Sequence, residues 1–380
     1  MSPFILLGRI IAAFKPLDKK YNRFFFFPFY HIGGAEKIHY QVLEAVGDEN
    51  CIIFFTRQSK NDGFLHEFTK SKATIRNIAG YTDNKFLYFA NFIYRGIISG
   101  YVNSRKSNAI VFNGQCNFAY KLSPWISSKI KQYELVHALN TFAFIRLPYL
   151  DFYHQSITVS QEIIDKHFQA YQKNNVPARL FQQFTFVPSC IKLPPAGQQA
   201  VKPSGVLNVL YVGRATADKR PWIYIQVAQQ LSPQKNIRFL YAGEMDASTR
   251  QSLPGNMVYL GEIGEEEKLY ATYGGAHVVV IPSATESGPL VFMEAMAKGC
   301  AIVATPVGYM PLHIKKDVHG LLTSSVTAEA VIVNEMCAYI NKLAAESGLL
   351  QQICSTNIAY AFENFGIEKF YTAYRKLLQP

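Results

Sequence analysis

The chain has 380 residues, of which 49% are hydrophobic and 17% charged, with 28 Phe and 23 Tyr. That content excludes intrinsic disorder and is more than one core usually holds, so two domains are expected. The formal charge of +11 is confined to one half: residues 1–200 carry 23 Lys and Arg against 12 Asp and Glu, and residues 201–380 carry 15 of each. Halves so different in charge are expected to meet different partners, the basic one facing something anionic.

Along the chain, residues 1–22 read as an amphipathic extension, with Phe4, Leu7, Ile11 and Phe14 on one helical stripe and Lys15, Lys19 and Lys20 after it. The segment lacks the basic leader and small-residue cleavage site of a secretory signal and is expected to stay on the mature protein. Strand patterns follow at Phe24–Phe27, Cys51–Phe55, Thr74–Ile78, Ala109–Phe112, Glu134–His137, Ile157–Ser160 and Phe184–Val187, with helical patterns at Ala35–Val46, Lys85–Ser99 and Gln161–Tyr171. A Pro-, Gly- and Gln-rich stretch, Cys190–Gly205, reads as a hinge.

The second half alternates more cleanly. Strands are expected at Val206–Val212, Ile237–Ala242, Met257–Leu260, His277–Ile281, Ala301–Thr305 and Gly320–Thr323. Helices are expected at Pro221–Leu231, Ser248–Leu253, Glu265–Tyr273, Pro289–Lys298 and Ala328–Ala345, and a last one at Ile367–Leu378 after Gly366. This alternation predicts parallel doubly wound sheets with ligands at the carboxyl ends of the strands. The longest uncharged stretches, Leu269–Thr285 and Gly299–Ile314, are interrupted and too short to span a bilayer. Six dispersed cysteines without a C-x2-C pair argue against a zinc or redox motif and fit reduced thiols of the cytosol.

Three segments carry chemistry. In Pro28–Val46, Gly33 and Gly34 precede a helix, where bare backbone lets a ligand approach; a plain tight turn is the alternative, and the G-x-G-x-x-G spacing is absent. In Leu210–Pro221, Arg214 follows a strand and Lys219 stands at the start of the next helix, a fork and a point charge suited to a diphosphate; the alternative is a solvated loop paired to Asp218. In Ile281–Gly299, a strand leads through Glu286 to Gly288-Pro289 and a helix whose free N–H groups, such as that of Leu290, suit a phosphate or sugar hydroxyl. Glu294 lies among Leu290, Val291, Phe292, Met293, Ala295 and Met296, where a carboxylate needs a partner unless it points to solvent.

Together and in this order, Gly33-Gly34-Ala35-Glu36, His137 at a strand end, Gly213-Arg214 with Lys219, and Glu286 with Glu294 before "AMAKGCAIVATPVG" resemble the retaining nucleotide-sugar glycosyltransferases of family 4. The resemblance covers nearly all of the chain after about Arg23, and "FGIEKF" resembles that family's closing segment. It implies an α/β chain of GT-B fold, two Rossmann-like doubly wound domains facing across a cleft. Residues 1–195 would form the acceptor-side domain, 196–364 the nucleotide-sugar domain, and 365–380 a helix crossing back to the first.

By the same resemblance, Glu294 would bind the donor ribose, Glu286 would face the sugar, and the backbone of Ser287, Gly288 and Leu290 would hold sugar and phosphate. Arg214 and Lys219 would neutralise the leaving diphosphate, so no metal or other cofactor is implied, in keeping with the lack of a D-x-D motif. Glu262 and Ile263 would lie beside the base, Gly33 and Gly34 near the phosphate, and His137 near the reacting carbon. The family's Asp after this histidine is replaced by Ala138, and a core histidine is the alternative.

The implied reaction is sugar transfer from a UDP- or GDP-linked donor to a glycan or lipid-linked acceptor of bacterial surface polysaccharide or lipopolysaccharide. A non-catalytic binding subunit, or an epimerase or inverting transferase of the same fold, are alternatives. Residues 57–131 hold 12 basic and 3 acidic side chains interleaved with Phe86, Tyr88, Phe89, Phe92, Tyr94 and Tyr101. That pattern suits an anionic membrane surface, at the cytoplasmic face of the inner membrane, unless the aromatics are core. No zinc-finger or RNA-binding signature supports nucleic acid as the partner.

Overall fold

The computed structural model describes residues 2–137, 139, 141–194, 202–286 and 288–379. It divides into two compact units, Met1–Pro188 with Glu368–Pro380, and Ser189–Ile367. The division falls ahead of the expected boundary after residue 195. The reason is local: Ile191 bridges Gly366 and its N–H donates to Phe365 O at 2.9 Å, which ties the start of the hinge into the second unit.

The first unit is built on seven parallel strands: β1 (Arg23–Phe27), β2 (Cys51–Phe55), β3 (Thr74–Asn77), β4 (Ile110–Asn113), β5 (Lys131–Val136), β6 (Gln155–Thr158) and β7 (Phe184–Phe186), in the order β3-β2-β1-β4-β5-β6-β7. The phenylalanines of β1 show why the run is continuous rather than alternating. Phe24 and Phe26 pack on one face with Phe54 and Phe118, while Phe25 and Phe27 face the other way against Phe112, Phe68 and His39. A central parallel strand is covered on both faces, so both parities are apolar. Under β5, Glu134 and Arg146 form a fully buried ion pair, with Arg146 Nε donating to Glu134 Oε2 at 3.0 Å and Ser156 Oγ donating to Glu134 Oε1 at 2.5 Å.

The opening helix, Ser2–Phe14, lies on the helix Tyr88–Asn103 through Ile5, Gly8 and Ala12. Of the apolar stripe Phe4-Leu7-Ile11-Phe14, Phe4 and Ile11 are half-buried and Leu7 and Phe14 exposed, while the buried side is that of Ile5, Gly8 and Ala12. Leu6, Leu7, Ile10 and Phe14 stay exposed, Phe14 at 83%, as do Phe86 and Phe89 near the start of the partner helix. Phe92 is core and Tyr94 half-buried, so the aromatic segment divides between interior and surface. The closing helix, Ile367–Leu377, packs in this unit: Tyr371 OH donates to Glu44 Oε2 at 2.7 Å, Arg375 Nε to Ala45 O at 3.0 Å, and Tyr374 is fully buried against Phe112.

The second unit holds six parallel strands: β8 (Leu207–Val212), β9 (Ile237–Ala242), β10 (Met257–Gly261), β11 (Val278–Ile281), β12 (Ala301–Ala304) and β13 (Gly320–Leu322), ordered β10-β9-β8-β11-β12-β13. This is the doubly wound order of a Rossmann sheet. Two of its helices were not among the expected segments: the single turn Met310–His313 and Ser347–Asn364, an 18-residue helix. Buried Asn357 fastens that helix by donating to Cys300 O at 2.7 Å and His319 O at 2.8 Å. Among the described residues no helix is long and apolar enough to cross a membrane.

Candidate functional site

Strand order reverses between β8 and β11 in the second unit, so the loops leaving their carboxyl ends run side by side. Ala284 N donates to Asp218 O at 2.7 Å, joining the two loops. Arg220, buried and in the left-handed region at φ +47, locks them further. Its guanidinium donates to three carbonyls: Pro282 O at 2.7 Å, Ser283 O at 2.8 Å and Val326 O at 2.7 Å. A buried cation satisfied by carbonyls fixes backbone instead of waiting for an anion.

On this frame Glu286 is held at one oxygen. Ser283 Oγ donates to Glu286 Oε1 at 2.7 Å and Lys219 Nζ reaches the same atom at 2.6 Å. Lys219 thus pairs with Glu286 and not with Asp218, and it stands in the turn ahead of the helix Pro221–Gln230. Gly308 closes the space behind the carboxylate: with φ +61, a Cβ there would come within 2.9 Å of Glu286 Cβ and Glu286 O. Arg214 is exposed on the same loop as Lys219, and its guanidinium makes no side-chain hydrogen bond or ion pair among the described residues. Its carbonyl accepts from Tyr211 OH at 3.2 Å.

The helix Leu290–Ala297 begins after Pro289, and Gly288 lies before it; Ser287 falls outside the described residues. Glu294 does not point to solvent. It is 3% exposed, and Tyr273 OH donates to its Oε2 at 3.1 Å. Glu262 and Ile263 follow β10, one exposed and the other half-buried, next to the turn in which Gly243 N donates to Gly261 O at 2.9 Å.

The first unit has its own reversal, between β1 and β4. Gly33 and Gly34 stand at the start of the helix Gly34–Val46 that follows β1. Glu36 folds back beneath Gly33, where a Cβ would meet Glu36 Oε2 at 2.2 Å. His137 is placed just past the end of β5. Its N–H donates to Gln115 Oε1 at 3.0 Å, and its Nε2 lies 2.9 Å from Nε2 of His39. His39 is 1% exposed and stacked on Phe27 with ring centroids 4.5 Å apart. Burial pushes His137 down to about 4; burial and then the neighbouring His137 hold His39 well below the ordinary histidine value.

The structure therefore brings Lys219 and Glu286 together and places Arg214 on the same loop, with Glu294 on the helix that follows. Gly33, Gly34 and His137 occupy the corresponding carboxyl edge of the other sheet. Arg220, Ser283, Tyr273, Gly308, Gln115 and His39 escaped the sequence reading. His39 lies inside the quoted glycine segment, but nothing in its spacing points to a residue past the end of β5.

The fold has known counterparts. The chain superimposes on Anabaena Alr3699/HepE in complex with UDP and glucose with a TM-score of 0.73 and 15% identity, over 94% of this chain and 99% of that one. The fold is GT-B. Sucrose-phosphate synthase from Thermosynechococcus elongatus gives a TM-score of 0.71 at 19% identity, over 94% and 98% of the two GT-B chains. The lipopolysaccharide outer core galactosyltransferase WaaB gives 0.67 at 15% identity, over 94% and 99%. Residues 207–341 match the family model "Glycosyl transferases group 1". A stretch of 127 residues is 33% identical to D-inositol 3-phosphate glycosyltransferase of Corynebacterium efficiens, 30% of this chain and 30% of that protein. The chain thus spans about a third of the length of the curated relatives it matches.

Proposed function

We propose that this GT-B protein is a retaining glycosyltransferase that moves a sugar from a nucleotide-diphosphate donor, UDP- or GDP-linked, to a glycan or lipid-linked acceptor. The observation that carries the reading is the paired loop at the β8/β11 reversal: Lys219 and Glu286 in contact, Arg214 exposed on the same loop, and buried Glu294 one helix on. Structural relatives described with UDP and glucose, and the group 1 glycosyltransferase match over this unit, support it.

In this reading Arg214 and Lys219 stabilise the charge that builds on the departing diphosphate. Preorganised groups of that kind lower a barrier by roughly a few kcal/mol each. Glu286, fixed by Ser283, orients sugar hydroxyls, and Ser287, Gly288 and Leu290 offer backbone to the sugar and phosphate. Glu294, supported by Tyr273, takes the ribose, while Glu262 and Ile263 border the base. No step uses an enzyme nucleophile or a metal. In the first unit, Gly33, Gly34 and His137 lie at the sheet edge reserved for substrate. The basic residues 57–131 and the exposed apolar face of the opening helix suit an anionic membrane, so the site of action is the cytoplasmic face of the inner membrane during bacterial surface polysaccharide or lipopolysaccharide synthesis.

The test is a thermal-shift panel of UDP, GDP and ADP sugars, followed by NMR of the product anomer and turnover in the presence of EDTA. A raised melting temperature with one donor, retained anomeric configuration and EDTA-resistant turnover are expected. No shift with any donor rejects the reading, and an inverted product rejects retention.

A further inference from the structure

The contact between His39 and His137 joins two ring nitrogens at 2.9 Å, so a single hydrogen lies between them and one ring donates while the other accepts. The direction of that bond decides what His137 presents to a ligand.

Three observations fix it. Both imidazoles are held neutral near pH 7, because burial disfavours the charged form of each. His39 is 1% exposed and its Nδ1 has no hydrogen-bond partner among the described residues. Buried N–H groups without an acceptor are rarer than buried acceptors without a donor, so the unpartnered Nδ1 of His39 is a bare lone pair. The proton of His39 then resides on Nε2, pointing at His137.

We propose that His39 is a positioning residue that donates its Nε2 proton to Nε2 of His137 and thereby fixes His137 as the Nδ1-protonated tautomer. His137 consequently offers a donor from Nδ1 and has no free Nε2 lone pair with which to act as a base. The residue after this histidine, Ala138, has no polar side chain with which to orient the ring. The orienting contact comes instead from the helix Gly34–Val46, while Gln115 fixes the backbone of His137. The stack of His39 on Phe27 holds the donor in place. That the fixed tautomer serves sugar recognition rests on the function proposed above; the tautomer itself does not.

The experiment is long-range 1H–15N correlation NMR on the full chain labelled with 15N-histidine at pH 7.5, the His137 signals being assigned by their loss in His137→Ala. His137 is expected to show a protonated Nδ1 and an unprotonated Nε2. His39→Phe keeps an aromatic ring on Phe27 and removes the donor. In that variant His137 is expected to exchange between tautomers, while His39→Gln, which retains an N–H, preserves the wild-type pattern. A wild-type His137 protonated on Nε2, or an unchanged pattern in His39→Phe, overturns the proposal, and the wild-type spectrum decides even if His39→Phe fails to fold. In a sugar-transfer assay His39→Phe is expected to lower kcat about fivefold, as the fraction of the competent tautomer falls, with His39→Gln close to wild type. Equal losses in both variants would reduce His39 to a packing role. If the wild-type chain transfers no sugar, the function fails while the tautomer result stands.

Discussion

Lys219 Nζ lies 2.6 Å from Glu286 Oε1, so the cation assigned to a diphosphate is held by the carboxylate assigned to a sugar. A diphosphate entering this loop has to draw the lysine away from a partner that is itself only 8% exposed. Glu286→Gln removes that competitor. We expect it to bind UDP or GDP about three- to tenfold more tightly by calorimetry while turnover falls about a hundredfold. Unchanged nucleotide affinity in Glu286→Gln would detach Lys219 from the diphosphate.

Arg214 and Lys219 separate binding from folding. Arg214 is exposed, so Arg214→Ala is expected to leave stability within about 0.5 kcal/mol of wild type while lowering turnover about a hundredfold. Lys219→Ala is expected to lower turnover as much and also to destabilise, because it strips Glu286 of its counter-ion. Wild-type turnover in either variant removes that residue from the leaving-group role.

The Tyr273–Glu294 contact predicts a stability cost on both sides. Tyr273→Phe is expected to cost about 1 kcal/mol, the usual value of one hydrogen bond, and Glu294→Ala about 1–3 kcal/mol, since it leaves a buried hydroxyl unpaired. The chain has two tryptophans, Trp125 in the first unit and Trp222 in the second. Urea unfolding followed by Trp222 fluorescence in a Trp125→Phe background reads the second unit alone. Glu294→Gln should bind donor more weakly with a smaller change in midpoint; identical midpoints for all three variants would contradict a buried contact.

Acid is expected to destabilise the protein ahead of its carboxylates. Burial, the first cause in each case, pushes His137 and His167 down to about 4 and lowers His39, His277, His313 and His319 below the ordinary 6.5. Between pH 6.5 and 4 the unfolded chain binds protons that the folded chain refuses, so stability is complete above pH 6.5 and falls as pH drops through that window. At pH 5.5 the loss is about 1 kcal/mol each for His137 and His167. Urea midpoints at pH 7.5 and 5.5 measure it, and His167→Phe should recover about 1 kcal/mol of the difference. A flat profile from pH 7.5 to 5.5 would mean these rings are solvated.

The membrane expectation is tested where the opening helix leaves apolar side chains uncovered. Leu6 and Phe14 are 61% and 83% exposed and make no part of the buried stripe. Flotation with anionic vesicles at low salt should carry the wild-type chain up, and Leu6→Ser with Phe14→Ser should remain at the bottom with an unchanged melting temperature. Flotation of neither protein removes the membrane from the account.

The strand alternation made both sheets legible, because parallel strands covered on two faces leave continuous apolar runs such as those of β1, β2 and β11. The helix Ser347–Asn364 was not legible: its Ser, Thr and Asn disfavour helix locally, and it is held by what Asn357 reaches on other elements. The loop residues Lys219 and Glu286 announced their chemistry, but their pairing depends on β8 and β11 being neighbours, which no spacing encodes. Arg220 was hidden for a similar reason. Its three carbonyl partners come from residues far along the chain, and a cation beside Lys219 reads in sequence as one more surface charge.

The closing helix carries a consequence for how the protein is made. Tyr371 and Arg375 grip Glu44 and Ala45, and Tyr374 fills a fully buried position beside Phe112, so the first unit is completed by a segment that follows the second unit in the chain. A ribosome delivers β1 to β7 early, yet the Glu44 side of that sheet stays uncovered until the entire second unit has been synthesised. Residues 1–188 expressed alone would emerge with that surface bare. An autonomous first unit has to be assembled with 368–380 supplied in trans or spliced on through a short linker.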